Sequence, residues 1–358
     1  MEDFMNTINI KSNLYNYSVY FIENFLCELQ KFGENSVYII DKNVYQLYKK
    51  SFSTIDFSKI YLMDAVEHRK NMDTVMEIVN FLKFLEVKKN WKIVCFGGGI
   101  TQDVTTMASN LFLRNVDWYF FPTTLLAMSD SCIGGKCGIN LGKYKNQLGV
   151  FYPPKKIFID INFLNTLTES DYINGWGEIL KFSLTNEVKF YEEIVNEESY
   201  IPCKNILKYI YEGLVVKKYI IEKDEFESDL RRVLNYGHTF GHALEAYTDN
   251  VIPHGHGVIW GIDVVNYIAY KEQLITKEYY LEIKGFIKRA FLKEEIKIDK
   301  PHTLFEIIKT DKKVKGNVLN FALLNDRSKL IVYPIILNDK LENTFKEYLR
   351  ETHEYYCS

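Results

Sequence analysis

A chain of 358 residues exceeds what one hydrophobic core usually organises, so two domains, or one large α/β domain with a helical companion, are expected and a small stapled scaffold is excluded. Lys and Arg total 44 against 47 Asp and Glu, a net charge of −3, so no global positive field draws the chain to nucleic acid or to an anionic membrane; the partners expected are small molecules. Hydrophobic residues at 47% and charged ones at 25% match the globular average rather than a disordered or fibrous chain.

The N-terminal stretch MEDFMNTINI begins acidic and has neither a basic nor an apolar leader segment, and no uncharged run approaches the roughly 18 residues of a membrane span, so a cytoplasmic protein is expected. SVYIID (36–41) and WKIVCF (91–96) read as buried strands, with the helical pattern MDTVMEIVNFLKFLEVKK (72–89) between them, which implies a parallel sheet. The second strand runs into GGGITQDV (97–104), a turn that permits close backbone approach, then a helical segment TTMASNLFLRN (105–115) and a third strand VDWYFFP (116–122). PPKKIFIDINFLNTLTES carries the last clear strand of the first half. The spacing then changes to long amphipathic stretches, with strand signals only at LNFALL (319–324) and KLIVYP (329–334). These patterns predict an α/β Rossmann-like domain over 1–165 and a mainly α-helical domain over 166–358, the charged stretch 269–300 forming solvated helix faces. The six cysteines include no C-x-x-C pair and read as reduced thiols, and the 26 Tyr and 24 Phe, lacking a basic stripe beside them, read as core.

Several constellations could carry chemistry. Gly97 and Gly99 supply G-x-G after a strand and before a helix, where backbone N–H groups could meet a pyrophosphate, but Gln102 stands in place of the third glycine of the dinucleotide fingerprint. Asp41 ends the first strand and could accept from a ribose hydroxyl or simply close a turn. Four of the seven histidines, His238, His242, His254 and His256, fall within 19 residues. His238 and His242 share a helix face, and with one carboxylate added a zinc site exists on paper. Catalytic zinc usually takes three protein ligands, so three histidines plus a carboxylate overfill it. Glu178, in GWGEILKF, has Lys181 on its face and apolar neighbours; it is either a surface ion pair or a buried carboxylate in need of a cation. Asp130, Lys136, Lys145 and Asn146 are embedded in small and apolar residues between 122 and 154 and need partners there, and the lysines could neutralise a phosphate or simply be solvated, while Lys217, Arg231, Arg232, Asn235, Lys312 and Lys313 are, singly, ordinary solvated groups.

Taken in order, GGGITQDV, PTTLLAMSDS, GGKCGIN, YKNQLGVFYPP, GEILK, LRRVLNYGHTFGHALEA, HGHG and TDKKVKGN resemble the 3-dehydroquinate synthase family of sugar phosphate cyclases, over roughly residues 36 to 325. The resemblance implies an N-terminal Rossmann-like domain and a C-terminal helical domain with the active site in the cleft between them. It also implies bound NAD and a divalent metal, zinc or another such as Co2+. Residue by residue it implies Glu178, His238 and His254 as metal ligands, with His242 on the substrate side. Lys136, Asn146, Asn235, His242 and one of Lys312 and Lys313 match the groups around the substrate phosphate; Asp130, Lys181, Lys217 and Arg231 match those that hold its hydroxyls and carboxylate. Arg114 matches an arginine contributed across a dimer interface, which implies a homodimer. Asp41, Glu67, Lys70, Gly98, Gly99, Asp103, Thr123 and Thr124, with Lys145, match the cofactor side. The chain departs from the family pattern at Gln102, Thr105, Thr106, Cys137 and His256.

The implied reaction converts 3-deoxy-D-arabino-heptulosonate 7-phosphate to 3-dehydroquinate and phosphate by NAD-dependent oxidation, elimination, re-reduction and aldol closure. Relatives acting on sedoheptulose 7-phosphate or a hexose phosphate tend to lose the groups that this chain keeps as Arg231, Asn235 and His242, which favours the carboxylate-bearing sugar. Further alternatives are a glycerol-dehydrogenase-like oxidoreductase, which would not need the phosphate-binding cations, and a scaffold protein whose metal site has gone unused.

Overall fold

Val37–Ile40 and Ile93–Phe96 are unbroken apolar or aromatic runs, and a strand with no polar face must be covered on both sides, the condition of a parallel sheet under helices. A computed structural model describes residues 7–142, 144–185, 190–292, 295–311, 314–325 and 329–357. The chain divides into two compact units, Met1–Tyr172 with Lys217–Phe226, and Ile173–Val216 with Glu227–Ser358. The sequence reading placed one boundary near residue 165; the structure has the first unit recruiting a short segment from much later in the chain.

The first unit carries strands β1 (Thr7–Ile10), β2 (Tyr17–Phe21), β3 (Ser36–Asp41), β4 (Ile60–Met63), β5 (Lys92–Gly97), β6 (Trp118–Pro122), β7 (Lys136–Leu141), β8 (Tyr144–Phe151) and β9 (Lys156–Ile159), with helices α1 (Phe25–Leu29), α2 (Lys42–Leu47), α3 (Met72–Phe84) and α4 (Gly99–Leu111). Seven strands form one sheet in the order β1-β2-β9-β6-β5-β3-β4, parallel except for β1 against β2, while β7 and β8 form a separate antiparallel hairpin. The chain leaves β3 toward β4 and leaves β5 toward β6, in opposite directions, so a crevice opens at the carboxyl ends of β3 and β5, where such sheets bind ligands. Phe96, Phe121 and Phe158 stack across β5, β6 and β9 at centroid separations of 4.3 and 4.8 Å, so this part of the aromatic excess is core.

Several elements differ from the sequence reading. Helix α4 starts at Gly99, not Thr105, because Gly98 in an extended conformation (φ −88°, ψ −166°) serves as its N-cap and the glycine turn becomes the helix's first turn. It stops at Leu111, after which Leu113, Arg114 and Asn115 all take positive φ, and α3 stops at Phe84. Strands β1, β2, β4 and the β7–β8 hairpin carried no recognisable signal, since short strands with polar or glycine interruptions show little periodicity.

The second unit is built from most of α5 (Glu169–Ser183), α6 (Phe190–Val195), most of α7 (Ile206–Lys223), α8 (His238–Tyr247), α9 (His254–Lys271), α10 (Lys277–Ala290), α11 (Pro301–Lys309), the antiparallel pair β10 (Val318–Leu324) and β11 (Leu330–Ile336), and α12 (Asp339–Cys357). From Gly257 to Ala269 helix α9 is buried on every side, so it is the axis on which the others pack. The stretch 269–300 is not solvated throughout: Lys284 is buried against Asp263, its Nζ 3.1 Å from Oδ2, and Tyr348 donates to the same oxygen at 2.9 Å.

Candidate functional site

In the second unit, glycines decide which side chains meet. A Cβ at Gly177 on α5 would lie 2.5 Å from the Gly255 carbonyl, and one at Gly241 on α8 would lie 2.8 Å from the Gly257 carbonyl, so both helices approach α9 backbone to backbone. Gly237 precedes α8 with φ +75°, where a Cβ would meet the Val258 carbonyl at 2.6 Å. Glu178 stands beside the first contact, while His238 and His254 are the opening residues of α8 and α9, so the three are carried to one point. Glu178 Oε1 lies 3.1 Å from His254 Nε2 and 3.4 Å from His238 Nε2, and Glu178 Oε2 is ion-paired with Lys181. His242, exposed a helical turn further along α8, completes a group of imidazoles whose ligand atoms lie within 4.8 Å of one another.

On His238 and His254 the ring nitrogen turned away from this point has an acceptor: His238 Nδ1 donates to the Tyr236 carbonyl at 3.1 Å and His254 Nδ1 to Glu245 Oε1 at 2.9 Å. Burial lowers the pKa of His238, so the ring is neutral, with its proton on Nδ1 and its Nε2 lone pair facing the Glu178 carboxylate. Burial opposes ionisation of Glu178, but the Lys181 ammonium and the hydrogen bond from His254 outweigh it and hold the carboxyl well below the usual range. A lone pair and a carboxylate oxygen facing each other across 3.4 Å are two acceptors that only a shared cation reconciles, so the residues fit a metal. Burial likewise opposes charge on His254, yet its bonds to Glu178 and Glu245 push it up to about 10, so the ring carries a proton that a metal would displace.

In the first unit, Gly97, Gly98 and Gly99 join the end of β5 to the start of α4. A Cβ at Gly98 would come to 3.0 Å from Thr124 Cγ2, whereas one at Gly99 would have only Ser131 Oγ, at 3.9 Å, within reach; the helix N-terminus therefore presents backbone N–H groups. Thr123, buried, donates its N–H to the Gly97 carbonyl at 3.0 Å, and Thr124 Oγ1 accepts from Ala127 N at 3.2 Å. Asp41 lies at the end of β3 and caps α2 through Asn43 N at 2.8 Å, and burial raises its carboxyl pKa; it thus closes the turn that the sequence left open as one of its two roles. Lys70 joins Asp103 Oδ2 at 2.7 Å and Asn146 Oδ1 at 2.9 Å, while Glu67 Oε1 accepts from Asn140 at 2.9 Å. Asp130 and Lys217 pair at 3.0 Å.

The remaining candidates are scattered. Lys136, Lys145 and Asn146 are exposed on the β7–β8 hairpin, a correction to the reading of them as embedded, because β8 is open to solvent on both faces from Tyr144 to Gln147 and Lys136 lies at the exposed start of β7. Arg114 is exposed beyond the far end of α4, a 13-residue helix about 20 Å long, from Gly98 and Gly99. Arg231 is buried in the 3₁₀ turn Leu230–Asn235 and Asn235 donates to Glu227 Oε1 at 3.1 Å. Lys312 and Lys313 lie outside the described residues. Sequence reasoning passed over Glu245, Glu227 and Asn140. Glu245 alone had a signal, seven residues after His238 and hence two turns along the same helix face.

Comparison with known proteins covers both units. Residues 60–174 match the 3-dehydroquinate synthase N-terminal family and residues 175–314 the 3-dehydroquinate synthase C-terminal family. The 3-dehydroquinate synthase of Pelagibacter ubique is 33% identical, covering 94% of this chain and 97% of the relative. Among solved structures, a 2-deoxy-scyllo-inosose synthase complexed with carbaglucose-6-phosphate, NAD+ and Co2+ superposes with a TM-score of 0.83 at 23% identity over 97% of this chain and 99% of its own. The 2-epi-5-epi-valiolone synthase of Streptomyces hygroscopicus, with NAD+ and Zn2+ bound, gives 0.82 at 22% identity over 94% and 97%. At those identities the superpositions speak for the fold, an α/β unit with a helical one, which is the class expected from the sequence. Matched along both halves and by a relative of nearly equal length, the chain belongs to the 3-dehydroquinate synthase family.

Proposed function

We propose that this chain is a 3-dehydroquinate synthase, taking 3-deoxy-D-arabino-heptulosonate 7-phosphate to 3-dehydroquinate and phosphate. The observation that carries the reading is the facing pair of His238 Nε2 and Glu178 Oε1, with His254 beside them, inside a chain that belongs to the family. Glu178, His238 and His254 hold a divalent metal, and His242 serves the substrate. When bound, the metal polarises the hydroxyl to be oxidised and acidifies the C–H beside the resulting carbonyl. Tyr236 and Glu245 fix the ring orientations, and Lys181 keeps the Glu178 carboxylate ionised.

The first unit binds NAD, with the pyrophosphate at the N-terminus of α4 and Asp41, Glu67, Lys70, Asp103, Thr123, Thr124 and Lys145 around the remainder. Asp130 and Lys217 hold substrate hydroxyls, and Arg231, a buried cation at the start of the segment leading to His238, receives the carboxylate. Lys136, with Lys312 or Lys313, neutralises the departing phosphate, and Asn146, Asn235 and His242 donate hydrogen bonds to it. We read the protein as a cytoplasmic homodimer to which Arg114 contributes across the interface. The five described cysteines are free thiols, as a reducing compartment requires, and among the described residues no helix is long and apolar enough to cross a membrane. The test is phosphate release by zinc-loaded protein with NAD, offered that sugar acid, sedoheptulose 7-phosphate and glucose 6-phosphate in parallel. Release from the sugar acid alone is expected; release only from another sugar moves the substrate, and release from none overturns the reading.

A further inference from the structure

Gln102 and Ser131 hold one another through both ends of a carboxamide: Ser131 Oγ donates to Gln102 Oε1 at 2.6 Å, and Gln102 Nε2 donates to the Ser131 carbonyl at 2.7 Å. Gln102 is buried near the start of α4, at the place where a third glycine would let helix and strand close on each other. Ser131 is the last residue of a π-helical turn, Ala127–Ser131, closed by Cys132 N on the Ala127 carbonyl at 3.1 Å. Such a turn holds one residue more than an α turn, is rare, and is frequently found at functional sites. Its fourth residue is Asp130, whose Oδ1 pairs with Lys217 Nζ at 3.0 Å and whose carbonyl accepts from the same ammonium at 2.7 Å. Lys217 thus grips the turn at Asp130, and the carboxamide grips it at the next residue.

We propose that Gln102 is a positioning residue: by clamping Ser131 it keeps the Ala127–Ser131 turn in its π form and so fixes the direction in which the Asp130–Lys217 pair meets the sugar substrate. The proposal rests on the function given above for the role of Asp130, and on nothing else in it. Without the clamp the turn relaxes toward an α turn, which drops the extra residue and swings the side chains around it by about 100°. A group that merely filled space would affect sugar and cofactor alike. A group that aims Asp130 affects the sugar alone.

Gln102→Leu keeps the volume and removes both bonds, and Ser131→Ala removes one of them without enlarging anything. On full-length, zinc-loaded protein we would measure deuterium uptake by the segment 124–133, kcat/KM for the sugar phosphate and KM for NAD. Both variants are expected to take up deuterium faster in that segment and to lose about 10-fold in kcat/KM for the sugar, with KM for NAD within about twofold. The double variant is expected to be no worse than the poorer single one, because one clamp is lost only once, and Ser131→Thr, which keeps the hydroxyl, should restore the rate. Uptake at the wild-type rate in both single variants overturns the clamp whatever the activity. Equal losses toward sugar and NAD, or losses that add, overturn the positioning role. If Gln102→Leu fails to fold, Ser131→Ala against Ser131→Thr decides the question. If wild-type protein releases phosphate from no sugar offered, the proposed function fails on that control, and the uptake comparison still judges the clamp.

Discussion

In the first unit Gly99 leaves the first turn of α4 open, with only Ser131 Oγ within 4 Å of where a Cβ would stand, so the helix N-terminus presents backbone N–H groups. In the second, Gly177, Gly241 and Gly255 let helix backbones touch, so the side chains carried to that place, Glu178, His238 and His254, are what meet. One unit uses the missing Cβ to expose the main chain and the other to converge side chains. A substitution therefore strikes different things in the two places: affinity in the first, assembly of the site and packing in the second.

The sharpest way to break this comparison is Gly241→Val. Its Cβ would sit 2.8 Å from the Gly257 carbonyl, with no flexible group to yield, so α8 and α9 must part at a cost of about 3 kcal/mol or more in denaturant unfolding. Gly99→Ala, whose Cβ meets only Ser131 Oγ at 3.9 Å, should leave unfolding nearly unchanged; an equal loss there would erase the distinction. Glu178→Gln comes next. It keeps the fold of α5 but removes the anionic ligand, and metal affinity should fall by more than the ~10–100-fold that losing an orienting partner costs, with turnover lost in parallel. Metal content after dialysis against chelator, measured beside phosphate release, checks this, and activity that survives metal removal would sink the assignment. Gly98→Ala places a methyl 3.0 Å from Thr124 Cγ2 at the helix N-terminus, and NAD affinity by calorimetry should weaken by about 10-fold while the metal content stays at the wild-type level.

The smallest effect lies at the surface of the first unit. Arg69 and Tyr61 hold the Glu77 carboxyl below its ordinary value of 4.5. A depressed carboxyl contributes stability that is present above the unfolded pKa and is lost as pH falls through the folded one, so the contribution should fade as pH drops below about 4.5. Glu77 is half exposed and screened by solvent, so Glu77→Gln should flatten acid unfolding by no more than ~0.5 kcal/mol. No change in the curve between wild type and variant would show the pair to be without effect.

Much of the fold was legible because its signals are local. The runs around Ile39 and Val94 have no polar face, and the loss of strand patterning after β9 marks the passage to helices. The metal-ligand candidates were legible in part, since His238 and His242 lie four apart on one helix. The role of His242 was not, because four-residue spacing makes it the neighbour of His238 whether or not both bind the same ion. Glu245 was overlooked because an acidic residue on a helix is ordinarily solvated, and only the packing of α8 against α9 buries it beside His254. Lys136 and Lys145 were misjudged for the opposite reason: small and apolar neighbours in sequence say nothing of exposure when the segment is a hairpin.

By itself the sequence determined the strands β3, β5 and β6, the helical character of the second half and the family, since these depend on residue identity and on spacing within a single strand or helix. Tertiary structure alone decided that Glu178 faces two imidazole nitrogens, that Lys284 is buried on Asp263, and that Gln102, in sequence only a departure from a glycine motif, reaches across to Ser131. Those are contacts between residues 21 to 76 positions apart, and whether two such groups meet is set by how closely their backbones can pack, which no local pattern records.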